Sequence, residues 1–227
     1  MIPVKDNIPN DRFPLVTVAL ILANVLAYLL ALGHGGSIIS GPTLQEVVKH
    51  GAIPSALTDP GASTWTTVFT SMFMHGSILH LAGNMLFLWI FGNTIEGAIG
   101  PVRFIAFYLL GGLAALALQV AVGPDSTAAT IGASGAIAGV LGAYIVLYPR
   151  SRVLTLVFIL LFFTVIELPA VVMLAIWFAE QALFALAHLT NPTGGGAVTY
   201  LADVGGFLFG AATIRLLASE PRQLRAH

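Results

Sequence analysis

The chain has 227 residues, 57% of them hydrophobic and 8% charged, and its mean hydropathy is +0.93. A soluble domain carries roughly 25% charged residues, so these values exclude a soluble enzyme, a disordered chain and a nucleic-acid binder, and point to a bilayer as the solvent. The net charge of −1 implies no polyanionic partner, and the absence of cysteine removes disulfides, thiolate nucleophiles and Cys-ligated metals.

A hydrocarbon core of about 30 Å needs about 20 apolar residues per helix. The first such run, residues 13–32, follows Lys5, Asp6, Asp11 and Arg12. It is longer than a signal-peptide core, and no clear small-x-small cleavage site follows it, so it reads as a first spanning helix. Residues 33–77 are mixed in polarity, contain Gly and Pro, and hold the apolar patch from Trp65 to Met74, which predicts a long, structured, partly embedded loop. Further helices are predicted over 79–95, 104–122 (after the Gly100-Pro101 break), 131–147 (stopping before Pro149), 169–189 and 197–217. Residues 153–166 are apolar but short for a span. Together these predict an all-α polytopic membrane protein: one domain, 1–227, with six transmembrane helices.

The positive-inside rule selects six spans over seven. With a cytoplasmic N-terminus and six spans, all nine Lys and Arg except Lys49 fall inside; a seventh span would move Arg215, Arg222 and Arg225 out. Residues 153–166 then become an apolar segment at the cytoplasmic side. Helices two, four and six all enter from the outer face, placing His80, Ser134 and Asp203 at a similar shallow depth.

Three groups of polar residues need a reason to be in apolar helices. Ser134 sits in Gly132-Ala133-Ser134-Gly135-Ala136, at a helix start, where free N–H groups and the helix dipole favour a developing oxyanion; a helix-packing serine is the alternative. His80 and Asn84 are four apart and share a face, offering donors to a carbonyl oxygen or an interhelical hydrogen-bond pair. His75, just before them, is expected to tie down the loop. Asp203 is a carboxylate inside a span, a mark of function by default, or else a protonated, hydrogen-bonded acid. Gly206 and Gly210 share its face, and Gly135, Gly139 and Gly142 line helix four, so these small residues predict close packing of helices four and six, bringing Ser134 to Asp203. Glu96 and Arg103 are expected to pair across the turn between helices two and three. Glu180 and Gln181 are expected to line a cavity or bond between helices, and His188 to lie at the outer interface. No HExxH and no closely spaced acidic pair occurs, so no metal is implied.

In this order the pieces resemble the rhomboid family of intramembrane serine proteases. The resemblance rests on Phe69-Thr70-Ser71-Met72-Phe73-Met74-His75-Gly76, His80-Leu81-x-x-Asn84-Met85, Phe91-Gly92-x-x-x-Glu96, Gly132-x-Ser134-Gly135 and Ala202-Asp203-x-Gly205-Gly206-Phe207. It implies that Ser134 is the nucleophile, that His80, Asn84 and the Ser134 N–H form the oxyanion site, and that His75, Gly132, Gly135 and Gly206 support them. It implies no cofactor. The partners implied are transmembrane protein substrates and the lipid bilayer, and the location an integral one, in a prokaryotic plasma membrane with the site toward the outer face.

The resemblance departs at one decisive position. Where the family has the catalytic-base histidine of its last helix, this chain has Asp203; the arginine that often follows the loop tryptophan is here Thr66. A carboxylate has a free-solution pKa near 3.9, reaches less far than an imidazole, and is a poorer proton relay to a leaving amine. His188 belongs to the wrong helix to replace it. Two readings follow: a protease framework impaired at its base, or a non-catalytic rhomboid-fold protein that binds transmembrane segments.

Overall fold

The computed structural model describes residues 2–10, 12–62, 64–159, 162–190 and 197–218, and the side chains of these except at 158, 159, 162, 188–190 and 197–199. After strand β1 (Ile2–Asp6) come α1 (Leu15–Leu32) and three short helices, α2 (Leu44–His50), α3 (Pro54–Leu57) and α4 (Thr67–Thr70). Then α5 (Ile78–Phe87) passes through one π-helical turn, Leu88–Gly92, into α6 (Asn93–Ile99). Next are α7 (Pro101–Val122), α8 (Ser134–Leu147), strands β2 (Arg152–Ile159) and β3 (Phe162–Pro169), α9 (Ala170–Thr190) and α10 (Ala197–Leu217). Among the described residues, five helical segments are long and apolar enough to cross a membrane: Leu15–Leu32, Ile78–Ile99, Pro101–Val122, Ala170–Ala187 and Tyr200–Leu217.

The remaining apolar helix, α8, is only 14 residues, but it is the centre of the bundle: every residue in it except Ser134, Ile145 and Val146 is buried. At 1.5 Å per residue it spans only about 21 Å. Its start differs from the expected 131 because Gly132 has φ +117°, a left-handed conformation that breaks the helix and that L side chains rarely adopt. Its small residues face α10 at backbone contact. A Cβ on Gly206 would collide with the Gly135 carbonyl, one on Gly210 with the Gly139 carbonyl, and one on Gly142 with the Phe207 carbonyl. On the α7 side, a Cβ on Gly111 would sit 3.6 Å from the Ala136 carbonyl oxygen. The helices are thus held by van der Waals contact between main chains, which small-residue stripes permit where lipid supplies no hydrophobic drive.

The all-α expectation is corrected at two places. Residues 152–159 and 162–169 form an antiparallel hairpin, and β1 adds to it, giving a three-stranded sheet in the order β1-β2-β3. The physical reason is composition: Val, Ile, Thr and Phe dominate both arms, and such residues fit a pleated surface better than a helix. A register shift between Pro3 and Lys5 lets both Pro3 and Asp6 pair toward the buried face with Thr155 and Val153.

The expected Glu96–Arg103 pair is also corrected. Glu96 is buried and accepts from the Val16 and Thr17 N–H groups (2.9 and 2.7 Å) and from the Thr17 hydroxyl (2.7 Å), satisfying the start of α1, whose N-cap is Pro14. Arg103 donates instead to the Leu217 carbonyl at the end of α10 (3.0 Å). With Asn10 bonded to Asn93 and Asp6 accepting from Thr94 (2.6 Å), three polar residues of α6 grip the N-terminal segment.

The loop from 33 to 77 is structured by its own short helices and by bonds to the segment that leads into α8. Ala52 and Thr130 exchange backbone hydrogen bonds (3.0 and 2.8 Å), Ser55 N–H donates to the Ser126 carbonyl (3.0 Å), and Gly132 N–H donates to the Ser71 carbonyl (2.9 Å).

The seam between α8 and α10 yields a test. Gly206→Leu should lower stability by about 1–3 kcal/mol or more, the usual cost of overpacking, whereas Gly83→Ala, inside α5 where nothing lies within 4 Å, should not lower it and should add up to about 1 kcal/mol from the helix preference of Ala; thermal unfolding in detergent measures both.

Candidate functional site

The site is built where three chain segments meet at the N-terminal end of α8. Ser77 starts α5 by accepting from the His80 N–H (3.1 Å), which sets His80 in the first turn and Asn84 one turn later on the same face. That face is turned to Gly132. A Cβ on Gly132 would lie 2.8 Å from His80 Nε2 and 3.6 Å from Asn84 Nδ2. Only glycine leaves that space open, and two side-chain nitrogens converge on it.

His75 stands behind this pair. Its Nε2 lies 3.0 Å from Asn84 Nδ2 and its Nδ1 3.3 Å from the Phe73 carbonyl, while its ring meets that of His80 edge-on at 5.0 Å. The amide donates to Nε2, so the proton sits on Nδ1 and is given to Phe73. One amide hydrogen of Asn84 is thereby used and the other is free for the space beside Gly132. Burial, and secondarily the neighbouring His80, lower the His75 pKa from its ordinary value of 6.5 to about 3, against the Phe73 carbonyl, which acts to raise it.

Ser134 is the first residue of α8, with no side-chain cap at Ala133, so the first-turn N–H groups of the helix are available beside its hydroxyl. A cavity of about 20 Å³, room for about one water, lies against Ser134, Gly132, Gly135, Ser71 and Thr130. Beside Ser134, and bounding the same cavity at Ala202, is α10. Asp203 is 4% exposed, its carboxyl faces the Ser134 side chain, and its Oδ1 is buried without a hydrogen-bond partner. Among the described residues no group of three metal-ligating side chains occurs.

The structure therefore gathers His75, His80, Asn84, Gly132, Ser134, Gly135, Asp203 and Gly206 at one end of the bundle. Glu180 is exposed, while Gln181 Oε1 is buried without a partner. His188 falls in α9, but its side chain lies outside the described residues. Two contributors escaped the sequence reading. The Ser71 carbonyl anchors Gly132, and Met72 packs on Gly112 of α7. The signal for either was that Ser71 and Met72 stand in the 69–76 stretch on which the family resemblance rests.

The family model for the rhomboid domain matches residues 62–220, most of the chain. The chain belongs to the rhomboid family. Rhomboids are generally intramembrane serine proteases, and this one, with its apolar helices, is an integral membrane protein. It is 34% identical to Rhomboid protease GluP of Bacillus subtilis over 143 residues, covering 62% of this chain and 26% of GluP. It is 30% identical to the mitochondrial Rhomboid protein 1 of Saccharomyces cerevisiae over 153 residues, 63% of this chain and 39% of that one. To the mitochondrial Presenilin-associated rhomboid-like protein of Mus musculus it is 32% identical over 145 residues, 62% and 35% of the respective chains. This rhomboid thus spans between about a quarter and two fifths of the length of these relatives.

The neutral state of His75 sets a pH dependence. The unfolded chain takes up a proton at His75 near 6.5 and the folded chain only near 3, so this contribution is complete above pH 6.5 and is lost as pH falls from there toward 3. Unfolding temperatures of the native chain should drop between pH 7.5 and pH 5, and the slope should be shallower in His75→Gln.

Proposed function

We propose that this rhomboid is a serine endopeptidase framework that cleaves single-span membrane proteins near the outer membrane face, and that Asp203 makes the chain slow. Ser134 Oγ is the nucleophile. Attack on a substrate carbonyl places negative charge on its oxygen; His80 Nε2, the free Asn84 amide hydrogen and the Ser134 N–H are the donors that receive it, in the space that Gly132 leaves open. The observation that carries this reading is the convergence of His80 and Asn84 on Gly132, two residues before Ser134. A packing serine needs no such space.

The Ser134 proton needs an acceptor within about 2.6–3.2 Å. Asp203 is the group that faces it. As a carboxylate it can accept the proton; as a buried acid it donates to Ser134 and blocks the step. Either way its other oxygen, Oδ1, has no partner to hold the group in register, as a carboxylate or carbonyl does for a catalytic imidazole. Loss of a dyad member removes several orders of magnitude in rate, with residual turnover from oxyanion binding.

The same Asp203 supports the second reading, a non-catalytic rhomboid that binds transmembrane segments at the face between α5 and α9. That face is apolar and open at Leu79 (80% exposed) and Leu183 (66%). A cleaving and a merely binding rhomboid share this entry surface and differ at residue 203.

The orientation belongs to this proposal: six spans, a cytoplasmic N-terminus and Ser134 toward the outside. Its support is the placement of every Lys and Arg but Lys49 on one side. The matched relatives include one from Bacillus subtilis and mitochondrial ones, and a plasma-membrane location is accordingly part of the proposal. Since the chain has no cysteine, Asp125→Cys should label with an impermeant thiol reagent added outside, and Arg150→Cys should not. Labelling of Arg150→Cys alone contradicts the orientation.

The decisive comparison is between the chain and its Asp203→His variant. Fluorophosphonate labelling of Ser134 and cleavage of a reconstituted single-span substrate should rise by two orders of magnitude or more in Asp203→His and vanish when Ser134→Ala is added. Equal rates in the two chains would show that Asp203 is a competent base. Labelling and cleavage in neither would transfer support to the binding reading.

A further inference from the structure

The three-stranded sheet lies at the end of α8 remote from Ser134, and the site proposed above uses none of it. Its buried face carries Val153 and Thr155, both 0% exposed. Its other face is divided. Cross-strand pairing aligns Ile2, Leu156 and Val165 toward the hairpin end, and Lys5, Leu154 and Glu167 toward the α8 end, with Asn7 and Arg152 paired one step further on. Ile2 and Val165 are 42% and 49% exposed. One half of the face is therefore apolar and open and the other half is charged.

The charged half surrounds a groove of about 410 Å³ lined by Lys5, Asp6, Asn7, Arg152 and Glu167, so two carboxyl groups share it with the two cations. Its charges are only loosely engaged. Arg152 Nη1 stands 3.5 Å from Glu167 Oε2, with both side chains more than half exposed. Among the described residues no carboxylate comes within ion-pair distance of Lys5. The backbone beneath is firm: Arg152 N–H donates to Asn7 Oδ1 (2.9 Å), and Asp6, one residue from Lys5, accepts from Thr94 (2.6 Å) and from the Tyr144 hydroxyl (2.9 Å). Asp6 Oδ2 is already taken by the Thr94 and Tyr144 hydroxyls, which leaves Glu167 as the one carboxylate competing for two cations that stand on a rigid support, next to an apolar strip, in a protein that lives in lipid.

We propose that this face of the sheet binds the phosphate of a glycerophospholipid, held by Lys5 and Arg152, with the glycerol and the upper acyl chain against Ile2, Leu156 and Val165. Cationic pockets at a membrane surface recognise lipid phosphate in this way, and a guanidinium offers the paired donors that suit it. Glu167 competes for Arg152 and sets the affinity: phosphate must displace its carboxylate. Free inorganic phosphate shares the headgroup chemistry but makes no use of the apolar strip.

Native mass spectrometry of the full chain in detergent, titrated with dioleoyl phosphatidylglycerol, tests this. The native chain should bind one lipid saturably. Lys5→Gln with Arg152→Gln should weaken that binding at least tenfold, and Glu167→Gln should strengthen it several-fold. Misfolding adds unsaturable adhesion at several copies, not tighter binding of one lipid, so the Glu167→Gln chain, read at one lipid per chain, decides the matter even if the double variant is unstable. Inorganic phosphate at equal concentration should displace no lipid; displacement would assign the site to free phosphate and overturn the lipid reading. Equal lipid binding by all three chains would overturn the site altogether.

Discussion

Two helices in this protein touch main chain to main chain, and the candidate site depends on that contact. Where α8 meets α10, the carbonyls of Gly135 and Gly139 occupy the positions that side chains at 206 and 210 would need. Glycine at 206 and 210 is thus a steric requirement rather than a preference. In a bilayer, apolar side chains gain little by leaving lipid for protein, so association rests on close van der Waals packing. The same contact fixes which residues of α10 look at Ser134. Asp203 lies one turn before Gly206, and its carboxyl falls against the Ser134 side chain because the backbones approach so closely.

The second constraint is the left-handed turn at Gly132. It ends the incoming loop, starts α8 at Ser134, and opens the space that His80 and Asn84 line. A longer α8 beginning at 131 would have buried the serine within a turn of helix and left its N–H bonded to the residue four before it. Starting the helix at 134 keeps the first-turn donors free. The loop stitched to 126–132 by Ala52, Ser55 and Ser71 holds this turn in place, which explains why so long a connection is structured.

Much of the site was legible in the sequence because its signals are local or periodic. Small residues at intervals of four and three in 135–142 and of four in 206–210 announce a close seam, and a four-residue spacing puts His80 and Asn84 on one face. The misreadings have physical causes of their own. Residues 152–169 are apolar enough for a membrane segment, and hydropathy does not distinguish an apolar hairpin from a short helix; the β-branched and aromatic content does, but carries less weight than hydropathy in a membrane chain. Glu96 and Arg103 are close in sequence, which suggested an ion pair. Their partners, Thr17 and Leu217, are distant in sequence and came together only in the folded bundle. The same holds for Ser71, whose carbonyl acts through its backbone and leaves no trace in residue type.

The α8–α10 seam is therefore the claim on which the account of the site rests, and proximity chemistry reads it directly. A Cβ at 135 would lie 3.8 Å from the Ala202 Cβ, the mean separation of about 3.8 Å found in disulfides. Ala115 crowds that position at 2.5 Å, so the variant needs Ala115→Gly beside Gly135→Cys and Ala202→Cys. In a chain with no other cysteine, mild oxidation should close a single intramolecular bond, seen as a linked pair of peptides by mass spectrometry and reversed by reductant. Free thiols at both positions after oxidation, in a chain that is folded by circular dichroism, would contradict the seam and with it the placement of Asp203 against Ser134.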